Sequence, residues 1–176
     1  MTLSFTPSNE IIDPESLYGL LSKKNLLPDQ FLDPNVLGAV ARGIRFGVIH
    51  EKAEVLAVVL TYLLEPGILG VTLIKERGRL DQRQDDLKTL APDIWNYWFQ
   101  DPSIRRVDAR HPIGHLQTGR VLSGLGFTRE TTHNGVRDGM MIGRFPTSIH
   151  IWGLLKMDIT SKTNDKMQTE VANAVE

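Results

Sequence analysis

The sequence predicts a mixed α/β (α+β) fold with one central sheet. Three apolar runs, residues 45–49, 55–63 and 68–74, follow one another and are joined by the turn sequences Glu51-Lys52-Ala53 and Glu65-Pro66-Gly67. Runs joined in this way favour an antiparallel meander. A helix then leads from the last of these runs to a further strand near residue 107, and a strand–helix–strand crossover makes its two strands parallel. A closing hairpin completes the order, so the sheet combines both kinds of pairing.

The segment before the meander predicts a short strand and two helices. Residues 3–6 alternate weakly, as a strand does. Asp13 and Asp33 each stand directly before a proline, which provides an N-cap side chain and a first-turn residue that needs no N–H. We therefore expect helices over about 14–25 and 34–41.

A polar segment, residues 75–88, separates the meander from an aromatic helix. Proline removes a hydrogen bond from a helix interior, so the helix is expected to start close to Ala91 and Pro92, with Thr89 as its cap. The aromatic residues of this helix are Trp95, Tyr97, Trp98 and Phe99. Such a run between strands is more typical of a core or an interface than of a nucleic-acid surface.

Residues 106–130 predict a strand, a turn, a helix, a glycine and a second strand. Alternation around Val107 ends at Pro112, and apolar residues then recur at helical spacing as far as Leu125. Gly126 is expected to cap this helix, with Phe127 packing just beyond it. Residues 128–132 and 139–145 are predicted to form the closing hairpin, with Asn134-Gly135 at its tip.

Composition indicates one domain, residues 1–155, followed by a polar tail, residues 156–176. The chain has 176 residues, 41% of them hydrophobic, which suffices for a single core. A net charge of -1 gives no overall attraction to nucleic acid, and the absence of cysteine excludes disulfides and thiolate chemistry. The longest apolar run, residues 55–60, is too short to span a bilayer. We therefore expect a soluble protein that is cytoplasmic or packaged in an assembly made there.

Residues 120–130, RVLSGLGFTRE, are similar to the R-V-L-E-K-L-G-F-x-x-E segment of GNAT-type N-acetyltransferases. Thr118 and Arg120 match the Ser and Arg of the longer family pattern. His115 stands where Asn is usual, and Ser123-Gly124 replace Glu-Lys. The expected element order over residues 3–145 also resembles that of the GNAT fold.

The resemblance implies a coenzyme A site at the end of the third meander strand. In the family, a Q/R-x-x-G-x-G/A loop receives the pyrophosphate there, because glycines allow close approach of backbone N–H groups at a helix N-terminus. The corresponding residues 82–87 contain no glycine and carry Asp85 and Asp86, which repel an anion. If acetyl-CoA binding is retained, the resemblance places the cofactor on Leu73, Ile74, Lys75, Arg77, Gly78 and Arg79.

Catalytic residues are only weakly indicated. Glu76 and His115 are the candidates for a general base, and Glu65 and His111 are further possibilities, since carboxylates and imidazoles accept protons from amines. Leu122 occupies the position where many family members have a tyrosine acid. His111 and His115 have a metal-like spacing but no evident third ligand, so no metal site is expected.

Two functions remain open. The missing glycines favour a GNAT-like domain that has lost catalysis, needs no cofactor and binds other proteins through the aromatic helix, the hairpin or the tail. Some tailed bacteriophages encode divergent GNAT-like domains, so a virion component is one concrete form of this hypothesis. The alternative is an acetyl-CoA-dependent N-acetyltransferase that acts on a primary amine. Neither function involves nucleic acid or a membrane span.

Overall fold

The computed structural model describes residues 2–8, 45–75, 78–134, 141–142, 145–157 and 159. The strands in chain order are β1 (Ser4–Ser8), β2 (Arg45–Glu51), β3 (Glu54–Glu65), β4 (Ile68–Lys75), β5 (Arg106–Pro112), β6 (Thr128–His133), β7 (Met141–Ile142), β8 (Phe145–Pro146) and β9 (Ile149–Leu155). The described helices are α1 (Gln84–Trp98) and α2 (Leu116–Gly124). The two helices predicted over 14–41 lie outside the described residues.

The main sheet confirms the predicted mixture of pairing. Its seven strands lie in the order β1-β2-β3-β4-β5-β9-β6. Strands β1 to β4 pair antiparallel, β4 and β5 pair parallel, and β9 pairs antiparallel with both β5 and β6. In the turn between β3 and β4, Gly67 has φ +85 directly after Pro66, as a type II turn requires.

The predicted closing hairpin, in which residues 128–132 pair with residues 139–145, is wrong. β6 pairs with β9, whereas β7 and β8 pair with each other in a separate ladder. The sequence predicts no strand over residues 149–155, which form β9. These residues are rich in β-branched and aromatic side chains, and their strand gains a partner on each edge by lying between β5 and β6. A local turn signal at Asn134 could not reveal that arrangement.

Both faces of the central strands are buried. In β3 the consecutive residues from Leu56 to Thr61 are all buried, although they alternate between the two faces. Helices α1 and α2 pack against each other and cover one face. The main core includes Ile49, Leu56, Val59, Val71, Leu87, Ile94, Trp98, Val107, Val121 and Leu122. Neither described helix is long and apolar enough to cross a membrane.

The aromatic helix starts earlier than the sequence predicts and runs through Pro92. It begins at Gln84, and Pro92 lies in its interior. Pro92 and Lys88 are both exposed, so the carbonyl that loses its N–H partner lies on the solvent side and can be hydrated. Thr89 is not a cap, because its hydroxyl donates to the carbonyl of Asp85 at 2.9 Å inside the helix.

The end of α2 confirms the predicted glycine cap. Gly126 has φ +87, its N–H donates to the Ser123 carbonyl at 3.0 Å, and the Phe127 N–H donates to the Leu122 carbonyl at 3.0 Å. These two bonds define a Schellman motif. Phe127 then packs edge-on against Trp98, with ring centroids 5.5 Å apart.

The edge strand β6 is joined to β5 by an ion network that passes over β9. Arg106 donates to Asp108 on its own strand at 2.5 Å and to both carboxylate oxygens of Glu130 at 2.9 and 2.5 Å. A side chain at Gly153 would collide with Glu130, so the glycine makes room for this network. Glu130 is also the residue at which the β6–β9 register shifts.

The C-terminal side of β9 contacts the domain for a few residues beyond the predicted boundary at 155. The N–H of Lys156 donates to the Arg105 carbonyl at 3.0 Å, and its ammonium lies 5.8 Å from the Phe99 ring centroid. Ile159 packs against the core. The division into a domain and a tail stays a prediction.

Replacing Gly126 by alanine should destabilise the protein by about 1–3 kcal/mol. An L-residue is strained at this φ, and the added methyl would lie 2.7 Å from the Trp95 ring. Urea unfolding measures the effect. Gly114→Ala is the matched control, because Gly114 has open space around its missing side chain. Equal stability of the two variants would contradict the described helix end.

Replacing Pro92 by alanine should raise the free energy of unfolding by about 1–3 kcal/mol, because it restores the missing helical hydrogen bond. Asn96→Ala, at another exposed position of α1, should change stability by no more than about 0.7 kcal/mol from helix propensity alone. Chemical denaturation of both variants tests the expectation. If Pro92→Ala is neutral or destabilising, the helix does not continue through this position in solution.

Candidate functional site

The parallel ladder between β4 and β5 ends before either strand does. The pairing runs from Ile68 and Arg106 to Val71 and Ala109. β4 continues to Lys75 and β5 to Pro112. The described strands therefore separate at their C-terminal ends and leave a split in the middle of the sheet.

Each side of the split is supported by a strand outside it. β4 stays paired with β3 as far as Lys75, which lies opposite Ala57. β5 stays paired with β9 as far as Pro112, which lies opposite Ile149. Pro112 also lacks the N–H that a neighbouring strand would need as a donor. The split is therefore a supported feature of the sheet rather than a frayed end.

Helix α1 begins at Gln84 and follows β4, which ends at Lys75, in the chain. Its N-cap residue, Arg83, makes no side-chain cap. The residues predicted as a loop at 82–87 are mostly the first turn of this helix, and Asp85 and Asp86 lie there. Both carboxylates already form ion pairs with basic side chains, since Asp85 contacts Lys88 at 3.0 Å and Asp86 contacts Arg83 at 2.7 Å. The helix terminus attracts anions and its acidic side chains repel them.

The two described arginines between β4 and α1 are paired with the β2–β3 hairpin. Arg79 contacts both oxygens of Glu54, one of them at 2.9 Å. Arg83 contacts Glu51 at 2.8 Å in addition to Asp86. The hydrogen bond to Asp86, and then that to Glu51, raises the pKa of Arg83 above its ordinary value. Both guanidinium groups are thus held against carboxylates.

Asp81 is a buried carboxylate in the same connection. Its residue is 4% exposed, and its Oδ1 atom has no hydrogen-bond partner among the described residues. The adjacent backbone forms a turn, in which the N–H of Arg83 donates to the Leu80 carbonyl at 3.0 Å. Asp81 does not stand out in the sequence, because nothing in its neighbours reveals that the carboxylate is buried.

His111 is fixed in its neutral form. It is 5% exposed, its Nδ1–H donates to the Pro112 carbonyl at 2.8 Å, and its Nε2 accepts from the Trp152 indole at 2.9 Å. Burial lowers the pKa of His111. The Pro112 bond opposes that shift, and His150 and His115 add to it. The lone pair that a general base needs is already occupied by the indole N–H.

Solved structures of acetyltransferases have a similar fold. No family model and no curated protein matches the sequence. Spermidine N-acetyltransferase from Vibrio cholerae, in complex with CoA and spermine, superposes with a TM-score of 0.61 at 12% identity, over 89% of this chain and 96% of that one. The chain has the GNAT fold.

Two further structures extend this likeness. RimL, a ribosomal L7/L12 alpha-N-protein acetyltransferase, gives a TM-score of 0.59 at 12% identity over 88% of this chain and 94% of its own. A GNAT-family acetyltransferase from Streptococcus pneumoniae gives 0.59 at 11% identity, over 87% and 99%. Identities this low establish the fold alone.

The residues predicted to hold a cofactor lie at the C-terminal end of β4 or in the connection that follows it, where they are described. Leu73, Ile74 and Lys75 form the β4 side of the split. Gly78 follows with φ +78 and open space around its missing side chain, and Arg79 is paired as given above. Arg77 and the base candidate Glu76 lie outside the described residues.

The remaining base candidates lie at opposite ends of the GNAT sheet. His115 is exposed and is the N-cap residue of α2, shortly after the C-terminal end of β5. Glu65 is exposed and is the last residue of β3, at the end away from the split. Leu122, at the family's tyrosine position, is 1% exposed and belongs to the core.

The described histidines do not form a metal site. No group of three or more His, Cys, Asp or Glu side chains in the described ranges is arranged to hold a metal ion. His111 instead stacks on Trp152 and meets His150 edge-on. Helix α2 approaches this cluster at Gly119, where a methyl group would lie 3.0 Å from the Trp152 ring.

Replacing Trp152 by phenylalanine should raise the pKa of His111, because the indole N–H stabilises the neutral ring by donating to Nε2. An NMR titration of the imidazole measures the shift. Trp95→Phe is the control, since the Trp95 indole donates to the Leu125 carbonyl instead. An unchanged His111 pKa in Trp152→Phe would show that this bond is not made in solution.

The lowered pKa of His111 also predicts that the stability of the protein depends on pH. The native pKa of His111 lies below the unfolded value of 6.5, so the unfolded chain binds the proton first as the pH falls. The contribution is complete above about pH 6.5 and is lost as the pH falls from there to the native pKa. Urea unfolding across this range should show a smaller loss in Trp152→Phe than in the wild type.

Proposed function

We propose that the protein binds acetyl-CoA in the split between β4 and β5 and transfers the acetyl group to a primary amine. The observation that supports this is the early end of the β4–β5 ladder at Val71 and Ala109, while both strands continue. In the described part of the chain no strand pairs with that side of residues 72–74, and such peptide groups suit a ligand with its own amides. The GNAT resemblance assigns the coenzyme to this edge of β4, and a neighbour of the same fold was solved with CoA and spermine.

The reaction needs little from the side chains. The uncharged amine attacks the thioester carbonyl, a C–N bond forms, and the C–S bond breaks to release the coenzyme as a thiolate. The amine loses a proton to a base, and the thiolate takes one up. His115 is the described candidate for the base, because His111 already accepts a hydrogen bond at Nε2. Backbone groups of residues 72–75 and Arg79 would position the coenzyme.

The open ladder bears on the sequence-based preference for a domain without catalysis. That preference rested on the missing glycines at 82–87. A closed ladder would have left no room for the pantetheine arm, and the ladder is not closed. The carboxylates remain an electrostatic obstacle to the phosphates rather than a steric obstacle to the arm.

A protein-binding module without catalysis is the second candidate. Its support is the charge around the start of α1, where Glu51, Glu54, Asp85 and Asp86 accompany the paired arginines. Tyr97 and Trp98 of the aromatic helix are buried, so a partner would meet other residues. Exposed apolar side chains are present at Leu63 and Leu116, which are 63% and 69% exposed. A virion component would be one example.

Calorimetry with acetyl-CoA decides between the two functions. We expect saturable binding at micromolar concentrations and, with a primary amine present, release of free thiol. Arg79→Ala should weaken binding about tenfold or more, because charge-assisted bonds to phosphate contribute about 1.5–3 kcal/mol. Arg129→Ala, at an exposed position of β6, serves as the matched control.

Absence of binding by the wild-type protein would contradict the proposed enzyme and favour the binding module. Binding without thiol release from any of a panel of amines would leave a coenzyme-binding protein that does not perform the transfer. Equal weakening in Arg79→Ala and Arg129→Ala would show that the phosphates are held elsewhere.

A further inference from the structure

The β2–β3 hairpin places two carboxylates against the connection between β4 and α1. Glu51 ends β2, Glu54 starts β3, and the two residues lie opposite each other in the ladder. Like charges directly opposite each other are destabilising. Arg83 contacts Glu51 and Arg79 contacts Glu54, so each carboxylate of the hairpin has an arginine of the connection beside it.

The two pairs differ in how easily a ligand could displace them. Arg83 is 20% exposed and contacts two carboxylates, Glu51 and Asp86, of which Glu51 is only 14% exposed. The Arg79 and Glu54 side chains are 37% and 47% exposed. Exposed ion pairs contribute little net stability, because water and salt screen them. Arg79 can therefore exchange its carboxylate for another anion, whereas Arg83 is held in place.

From this asymmetry we infer that Glu54 sets the affinity of the site for phosphate groups by competing with them for Arg79. The inference rests on the proposed function, since it assumes a diphosphate-bearing cofactor in the split. The Arg79 guanidinium presents a planar fork that suits a carboxylate and a phosphate equally well. Bound phosphate takes the place of the Glu54 carboxylate, and Arg83 stays on Glu51 and Asp86.

The inference predicts the direction in which the affinity for acetyl-CoA changes when Glu54 is neutralised. Neutralising Glu54 removes one anion that competes with the phosphates for Arg79 and lowers the negative charge around that guanidinium. Glu54→Gln should therefore bind acetyl-CoA more tightly than the wild type does, by about three- to tenfold at low salt. The gain should shrink toward zero in about 0.5 M salt, because exposed charges are then screened.

The experiment compares acetyl-CoA with S-acetyl-pantetheine, which lacks the phosphates, by calorimetry on the full chain. Glu54→Gln should tighten acetyl-CoA and leave S-acetyl-pantetheine unchanged. Glu65→Gln, at the other end of β3 and also exposed, should change neither. Arg79→Ala combined with Glu54→Gln should lose the gain.

The outcomes separate this inference from the function on which it rests. If the wild type binds acetyl-CoA and Glu54→Gln binds equally or more weakly, the carboxylate supports Arg79 rather than competing for it, and the inference is overturned while the function stands. A gain in affinity for both ligands would show that the substitution changes the split itself, and it would also overturn the inference. Binding by Glu54→Gln alone would support the inference. No binding by any variant would overturn both.

Discussion

The structure depends on where β4 and β5 stop pairing. Two neighbouring parallel strands in the middle of a sheet usually pair along their whole length, because unpaired backbone N–H and C=O groups are costly when they are buried. Here the ladder ends at Val71 and Ala109, and the outer edges of both strands remain paired with β3 and β9. The outer strands thus hold both sides of the split in place, and the split lies in the middle of the described sheet. The split itself is a feature of main-chain pairing, so its presence does not require particular side chains.

That construction explains why much of the fold, but less of the site, could be predicted from the sequence. The meander follows from local turn chemistry at Pro66 and Gly67, and the end of α2 follows from Gly126. Both are decided by neighbours in the chain. The pairing of β6 with β9 depends on a strand that inserts between β5 and β6, which local signals do not encode. The start of α1 was misplaced because burial of its apolar face outweighs the hydrogen bond lost at Pro92.

The charged residues near the candidate site show the same limit of prediction from local sequence. Arg79 and Asp85 were identified from the sequence as opposing influences on an anion, and both lie near the start of α1. Their partners could not be identified, since Glu54 comes from a hairpin more than twenty residues away in the chain. The neutral state of His111 was equally hidden, because it depends on the indole of Trp152 on a neighbouring strand. Long-range partners decide what each ionisable group does.

The ion network over Gly153 has a consequence for how the molecule behaves in concentrated solution. β6 is an edge strand, and an edge strand with open backbone groups can recruit other chains into a continuous sheet. Glu130 interrupts the regular register of β6, and its carboxylate is held inward by Arg106. A bulge and an inward-facing charge are two of the devices by which natural sheets prevent edge-to-edge association. The same contacts that fasten the last strand to its sheet thus oppose fibre-like growth from it.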